Sequence, residues 1–173
     1  MTSTEPPADE CPIARAMSCV GEWWSILILR DAFLGLTRFD EFQKSLGIAS
    51  NILARRLKHM TEIGLLERRP YSQRPPRYDY VLTARGRDFF PVVGAMLAWG
   101  NRHLAPEGPS VVLAARDSGR PFDPVVLDGP SLTPITLDAV MLVAGPGASA
   151  AMIERLNSIK ASRPTTLSTG PGA

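Results

Sequence analysis

Two short amphipathic patterns separated by a glycine constrain this sequence more than any other feature. The first pattern follows Thr37 and has apolar residues at i, i+3 and i+7, namely Phe39, Phe42 and Leu46. The second can be capped by Ser50 and ends at Gly64, with four apolar residues on its inner face: Leu53, Leu57, Met60 and Ile63. Two helices joined by the few residues around Gly47 predict a helix-turn-helix.

Two further helices are predicted before this pair. Residues 12–20 have helical spacing with proline in the first turn, and Gly21 follows them. Residues 22–34 are apolar around most of the helical circumference, and Gly35 ends that run. A helix without a polar face belongs in the middle of a core.

A β-hairpin and a long helix are predicted after the pair. Residues 65–70 and 77–82 have the composition of strands, and Ser72 to Pro76 form the loop between them. Thr83 caps a helix over residues 84–103, which Pro91 should kink. The predicted fold class is mainly α with a small β-hairpin, arranged as a winged helix-turn-helix.

The composition changes after Leu104, since the last 70 residues contain nine prolines and seven glycines. Three short strands are predicted there, over residues 111–115, 125–127 and 139–143. Turns are expected at Ser118–Gly119 and Asp128–Gly129. One amphipathic helix around residues 152–159 should precede a frayed tail from Ser162.

Positive charge is concentrated in one part of the chain. The formal net charge is only +2, but residues 50–90 contain nine Lys or Arg against four acids. Helical spacing places a polar set on the outer face of the second helix of the pair: Ser50, Asn51, Arg55, Arg56, Lys58 and His59. Either these side chains simply solvate an exposed helix, or they meet a polyanion.

The hairpin favours the polyanion. Its tip carries Gln73, Arg74 and Arg77 beside two stiffening prolines, as a wing in a DNA minor groove requires. The first turn of the recognition helix should reach base edges, with Asn51 suited to adenine and Arg55 to guanine. The predicted phosphate contacts are Ser50, through the helix N-terminus, and Arg56 and Lys58, and Arg38 is a further predicted DNA-binding residue.

Other chemistry has little support. The two histidines and two cysteines lack the spacing of a metal or catalytic site, so neither metal, cofactor nor enzymatic activity is expected. Trp23 and Trp24 fit an effector pocket or, by preference, the core. Cys11 precedes a helix, which would favour its thiolate as a redox sensor, whereas inert cysteines are commoner. No signal peptide or membrane span is expected, which predicts a cytoplasmic protein.

A series of ordered motifs resembles the HxlR-type, MarR-like family of bacterial transcriptional regulators. The motifs are Cys11-Pro12, Gly21-Glu22-Trp23-Trp24, Leu27-Ile28-Leu29-Arg30-Asp31, Arg38-Phe39-Asp40-Glu41-Phe42, Gly47-Ile48-Ala49-Ser50-Asn51-Ile52-Leu53, Pro75-Pro76-Arg77-Tyr78-Asp79-Tyr80 and Leu82-Thr83-Ala84-Arg85-Gly86. The resemblance implies a homodimer joined through the first and last helices of the domain. The implied interface residues are Ile13, Met17, Val20, Phe89, Val93, Met96, Leu97 and Trp99. It also maps a thiol sensor known in some relatives onto Cys11.

These patterns predict a disordered leader over residues 1–10, a DNA-binding and dimerisation domain over 11–103, and an extension over 104–173. The predicted function is a homodimeric repressor that binds double-stranded DNA at a pseudo-palindromic operator. A small-molecule effector or thiol oxidation is the expected means of regulation. The alternative is a winged helix used for protein–protein contact, with the extension as the working part.

Overall fold

The computed structural model describes residues 10–162, so most of the predicted leader and the tail after Ser162 lie outside the described residues. The elements are α1 (Pro12–Val20), α2 (Trp23–Phe33), α3 (Phe39–Leu46), α4 (Ser50–Glu62), β1 (Leu66–Gln73), β2 (Pro76–Leu82), α5 (Ala84–Asp88), α6 (Phe90–His103) and α7 (Ala150–Ser162). The predicted class, mainly α with a small hairpin, is confirmed. Within residues 10–162, no helix combines the length and apolar character needed to cross a membrane.

The core forms where α2 meets the inner faces of α3 and α4. The side chains that the helical spacing assigned to those inner faces are fully buried in four cases: Phe42, Leu53, Leu57 and Met60. Ile28 and Leu29 of α2 are equally buried, as expected for a helix without a polar face. Each such side chain contributes about 1.5–3 kcal/mol of transfer free energy.

Local hydrogen bonds and one glycine set the ends of α3. The Glu41 carboxylate accepts hydrogen bonds from the backbone N–H groups of Arg38 (2.9 Å) and Thr37 (3.0 Å). These two bonds hold the pKa of Glu41 below its usual value. Gly47 ends the helix with a φ of 61°, which glycine adopts without steric cost.

The start of α4 differs from the prediction by one residue. Ser50 is the first helical residue, and Ala49 occupies the N-cap position without a side-chain hydrogen bond. The predicted capping role of Ser50 is therefore wrong. The side chain of an N-cap residue accepts from N–H groups two or three residues later, and a residue already inside the helix is not placed to do so.

The hairpin is longer than its sequence pattern indicated. β1 and β2 pair antiparallel from Leu66 opposite Leu82 to Gln73 opposite Pro76, leaving a two-residue turn in place of the predicted loop from Ser72 to Pro76. The register shifts between Pro70 and Ser72, where a bulge absorbs the extra residue. Prolines are tolerated because each strand of a two-stranded sheet has a free edge.

The long helix after the hairpin is divided. Thr83 caps α5 as predicted, since its Oγ1 accepts from the backbone N–H of Gly86 at 3.0 Å. The kink expected at Pro91 is a break at Phe89, and Pro91 lies in the first turn of α6. Proline lacks an N–H and fits that turn, where no intrahelical partner is needed.

The described chain divides into two compact units, one of residues 17–124 and one of residues 10–16 with 125–162. This division differs from the predicted boundary after His103. In the first unit, residues 105–124 lie along α6, where Asn101 Nδ2 donates to the Val111 carbonyl at 2.8 Å and Arg102 pairs with Asp123 at 3.4 Å.

The three strands predicted after Leu104 are wrong. Over residues 105–162, the structure has only isolated bridges, Ala114 with Pro121 and Leu127 with Pro134. Both bridges include a proline, which has no N–H to continue a ladder. The two predicted turns are confirmed by hydrogen bonds from Gly119 N to the Ala115 carbonyl and from Leu132 N to the Asp128 carbonyl, each 2.8 Å long.

The last predicted helix is confirmed as α7. Ser149 caps it, because its Oγ accepts from the backbone N–H of Met152 at 3.1 Å. Ser149 in turn donates from its backbone N–H and its hydroxyl to the Glu10 carboxylate, at 2.6 and 2.7 Å. These bonds lower the pKa of Glu10 and join α7 to the start of the described chain within the second unit.

Substitution at Gly86 should destabilise the first unit. A Cβ at this position would lie 2.1 Å from the Leu65 carbonyl oxygen, so backbone must move. We expect Gly86→Ala to lower the free energy of unfolding by about 2 kcal/mol, measured by urea denaturation. Gly100→Ala is the matched control, because a Cβ there meets open space and alanine favours a helix. Equal stability of the two variants would contradict the close approach at Gly86.

The stabilisation that Glu41 gives to α3 should depend on pH. Its pKa is lowered in the folded protein, so the contribution is complete above the usual value of 4.5 and is lost as the pH falls through the lower folded-state pKa. We expect Glu41→Gln to lower the urea midpoint at pH 7 and to match the parent at low pH. Glu62→Gln is the control. A difference between the parent and Glu41→Gln that stays the same at every pH would contradict the lowered pKa of Glu41.

Candidate nucleic-acid interface

The N-terminal half of α4 presents a polar, exposed surface. Ser50, Asn51 and Arg55 are exposed, while the opposite face of the helix is buried in the core. Asn51 Oδ1 accepts from the backbone N–H of Ile52 at 2.9 Å. Lys58 is also exposed, and its Nζ lies 3.7 Å from Glu62 Oε1 one turn later. Four of the predicted helix contacts are thus accessible to a large ligand.

Two residues predicted on this outer face point elsewhere. Arg56 Nη2 lies 2.6 Å from Glu22 Oε1, and its side chain is only 13% exposed. His59 Nε2 lies 3.1 Å from the Cys19 carbonyl oxygen, so the prediction of a solvated histidine is wrong. Arg56 and His59 lie three residues apart at the border of the buried face of α4, and both side chains turn toward the end of α1 and the start of α2.

The tip of the hairpin is the second exposed basic surface. Gln73, Arg74 and Arg77 are all exposed at or beside the turn. Arg38 precedes α3, where its Nε lies 3.8 Å from Asp79 Oδ1 and its guanidinium lies 4.9 Å from the centre of the Tyr71 ring. Arg38 thus lies against the hairpin, half-exposed, between the helices and the wing.

A polar connection that the sequence patterns did not reveal fixes the hairpin to the helices. Thr37 Oγ1 donates to Asp79 Oδ1 at 3.0 Å, and the backbone N–H of Tyr80 donates to the Thr37 carbonyl at 2.7 Å. Arg38 and Asp79 also form an isolated bridge. The sequence feature that could have indicated this connection is Asp79, an acidic residue within a largely basic hairpin.

Stacking also orders the arginines of the hairpin body. The Arg68 guanidinium lies 4.0 Å from the centre of the Tyr78 ring, on the neighbouring strand. Arg69 pairs with Glu67 on its own strand. These two arginines contribute to the positive field of the hairpin, although sequence reasoning did not place them in the interface.

The two tryptophans do not behave alike. Their rings stack with centroids 3.7 Å apart, and Trp24 packs against the core. Trp23 is 62% exposed, so the preferred prediction of a core position is right for Trp24 and wrong for Trp23. Two cavities, of about 380 and 290 Å³, are lined by other residues, at the hairpin and beside α6.

Cys11 has the environment predicted for a reactive thiol. It directly precedes α1, and the backbone N–H groups of Ala14 and Ile13 donate to its sulfur and lower its pKa. The positive charge of Arg155 acts in the same direction. Cys19 instead packs against the core with its side chain half-buried.

The predicted subunit-interface residues divide by exposure. On α1, Ile13 and Met17 are exposed, and on α6 so are Met96 and Trp99, with Val93 and Leu97 half-buried. Val20 is buried in the core and Phe89 packs against it. Val20 and Phe89 therefore stabilise the domain itself, and we no longer count them among the candidate residues of the subunit interface.

Comparison with known proteins identifies a family of helix-turn-helix proteins that this chain resembles. The family model described as HxlR-like helix-turn-helix matches residues 19–108. Rv3095 of Mycobacterium tuberculosis, an uncharacterized HTH-type transcriptional regulator, is 40% identical over 136 residues, covering 78% of this chain and 86% of the relative. A Synechocystis regulator of the same type, sll1512, is 38% identical over 98 residues, covering 56% of this chain and 73% of its own.

Solved structures agree. PA1374 of Pseudomonas aeruginosa, a proposed transcription factor, is 55% identical with a TM-score of 0.61 and covers 84% of this chain and 99% of its own. PA1607, another proposed transcription factor, is 42% identical with a TM-score of 0.70 and coverages of 78% and 95%. The redox regulator HypR in its reduced form is 29% identical with a TM-score of 0.51, covering 56% of this chain and 99% of its own.

The match of family model, relatives and fold covers the helix-turn-helix, the hairpin and the helix after it. The chain therefore belongs to the HxlR-like helix-turn-helix family and is a DNA-binding transcriptional regulator of the HTH type.

Proposed function

We propose that the protein represses transcription as a homodimer bound to a pseudo-palindromic operator. The observation that carries this proposal is the pair of exposed basic surfaces, at the start of α4 and at the hairpin tip, in a domain where the Thr37–Asp79 hydrogen bond ties the hairpin to the start of α3. A recognition helix and a wing held in fixed relation can occupy a major groove and the adjacent minor groove together. A dimer covering both half-sites excludes polymerase from an overlapping promoter.

The residues divide by the part of DNA that they would contact. Asn51 and Arg55, in the first two turns of α4, read base edges, where the amide suits adenine and the guanidinium suits guanine. Ser50 and Lys58 bind phosphates on either side, and Arg38 binds the backbone between helix and wing. Gln73, Arg74 and Arg77 form the minor-groove contact.

The exposed apolar side chains of α1 and α6 support the dimer. Met17, Met96 and Trp99 are each more than half exposed in the single chain, which is unusual for side chains of this size. Burying them against a second copy removes this apolar surface from water. Two recognition helices would then contact half-sites about 34 Å apart, one turn of DNA. In this arrangement residues 11–103 are the working domain.

Selection of genomic fragments with the purified protein, at low and at moderate salt, tests this function. We expect enrichment of a palindromic motif. Capture that is uniform across sequences would indicate a general DNA-binding protein. No capture at either salt concentration would favour the alternative, a winged helix for protein contact that works through the exposed apolar residues of the extension, such as Val125, Leu132 and Leu142.

Two arginine variants should separate base readout from phosphate contact. We expect Arg55→Ala to reduce discrimination between operator and mismatched sites by about 1–3 kcal/mol, because it loses a base contact. Arg74→Ala should weaken binding to all sequences alike and make the slope of log K against log salt shallower by about one. Fluorescence anisotropy with matched duplexes measures both. Parent-like binding by both variants would show that the assigned surface is wrong.

We infer further that oxidation of Cys11 regulates the protein. The lowered pKa of this thiol raises the thiolate fraction at neutral pH, and the thiolate is the form that oxidants attack. With hydrogen peroxide, the sulfur attacks one oxygen and displaces hydroxide, which gives a sulfenic acid. HypR, a redox regulator solved in reduced and oxidized forms, supports the inference, with TM-scores of 0.51 and 0.50 to this chain. A small-molecule effector is the alternative means of control.

Cys11 should react with iodoacetamide at lower pH than an ordinary thiol, because its pKa is lowered. The pH profile is measured by mass spectrometry on the Cys19→Ser variant, which leaves Cys11 as the one cysteine of the sequence. Peroxide should change the operator affinity of the parent and of Cys19→Ser, and leave Cys11→Ser unchanged. Equal responses of the parent and Cys11→Ser would remove Cys11 from the mechanism.

A further inference from the structure

Two contacts tie the recognition helix to the junction between α1 and α2. Arg56 Nη2 of α4 lies 2.6 Å from the carboxylate of Glu22, the N-cap residue of α2. One turn later, His59 Nε2 lies 3.1 Å from the backbone carbonyl oxygen of Cys19, near the end of α1. All four residues belong to the compact unit 17–124. The two contacts lie along one edge of α4.

The burial of Arg56 separates it from the other basic residues of α4. Its side chain is 13% exposed, against 78% for Lys58, and its Nε has no hydrogen-bond partner among the described residues. A guanidinium held in this way is turned from the surface that Arg55 and Lys58 share. Removing Glu22 would leave a largely buried charge without its partner, which costs more than the loss of an exposed pair.

Helix geometry gives the contacts a functional consequence. Successive residues lie about 100° apart around a helix of 3.6 residues per turn. A roll of α4 about its axis therefore displaces the exposed Arg55 together with Arg56 and His59. A roll of roughly 10° moves a side chain about 5–6 Å from the axis by about 1 Å. That displacement is large beside the narrow range of hydrogen-bond lengths.

We propose that Arg56 is a positioning residue: its ion pair with Glu22, with the His59–Cys19 contact beside it, fixes the roll of α4 for base readout, and Arg56 makes no phosphate contact. The proposal rests on the proposed DNA-binding function. It assigns an acidic residue, Glu22, a favourable role in binding a polyanion. That assignment is opposite in sign to the ordinary effect of an acid near DNA.

The test compares two glutamate-to-glutamine variants, each of which neutralises the carboxylate that pairs with a basic residue of α4. Glu22→Gln removes the partner of Arg56, and Glu62→Gln removes the partner of Lys58. Operator affinity is measured by fluorescence anisotropy over a range of salt concentrations, on variants whose circular dichroism and melting temperature show a folded protein. We expect Glu22→Gln to bind about tenfold more weakly with an unchanged salt slope, and Glu62→Gln to bind as tightly as the parent or more tightly.

Two further variants decide between positioning and phosphate contact. Arg56→Ala should weaken binding without changing the salt slope, whereas loss of a phosphate contact makes the slope shallower by about 0.9. The exchanged pair, Glu22→Arg with Arg56→Glu, should recover most of the affinity, because the ion pair is restored in reverse. A Glu22→Gln variant that binds tighter than the parent, or a shallower slope for Arg56→Ala, would overturn the proposal.

Hydrogen exchange supplies a measurement that needs no DNA. Amides of α4 should exchange faster in Glu22→Gln than in Glu62→Gln and the parent, because the helix has lost a tether. Equal exchange in all three proteins would refute the positioning role even if the parent binds DNA. If Glu22→Gln exchanges faster and the parent binds no DNA, the proposed function is wrong, while the structural role of the Glu22–Arg56 ion pair stands.

Discussion

Burial of the inner face of α4 is the constraint on which the rest of the structure depends. Leu53, Leu57 and Met60 are fully buried against Phe42 and the apolar α2. These contacts determine which side of α4 can face solvent, and they leave Asn51 and Arg55 on the exposed side. A recognition surface of this kind is set by what its reverse face buries, since a helix cannot turn one face inward without turning the other outward.

The hydrophobic core places α4, and polar contacts hold the neighbouring elements in register with it. On one side, the Thr37–Asp79 hydrogen bond at 3.0 Å joins the hairpin to the start of α3. On the other, the ion pair of Glu22 with Arg56 joins α4 to the start of α2. Apolar packing is non-directional, whereas hydrogen bonds and ion pairs specify distance and orientation. In the candidate nucleic-acid interface, the core therefore supplies stability, and a few polar groups set the orientation of the helices and the hairpin.

The proline-rich segment after α6 follows different rules. Residues 105–124 lie along α6 through backbone and side-chain contacts such as Asn101 with Val111, without a regular ladder. Strand composition alone predicted sheet structure there, but prolines at positions 121 and 134 remove the donors that a ladder needs. The alignment with PA1374 covers 84% of this chain and therefore extends beyond the family model, which ends at residue 108.

The sequence by itself determined the helices, the hairpin and the buried face of each, because the spacing of Phe39 and Phe42, or of Leu53 and Leu57, is fixed by the helical repeat. It also determined the largest causes of the lowered Cys11 pKa, the backbone N–H groups of Ala14 and Ile13, because these residues are neighbours of Cys11 along the chain. Only the tertiary structure decided the burial and the contacts of four residues: Arg56, His59, Val20 and Trp23. Periodicity assigns a residue to a face, but a residue at the border of that face becomes buried or exposed according to which distant element packs there. Glu22 and Cys19 are 34 and 40 positions from their partners, and no local pattern carries that information.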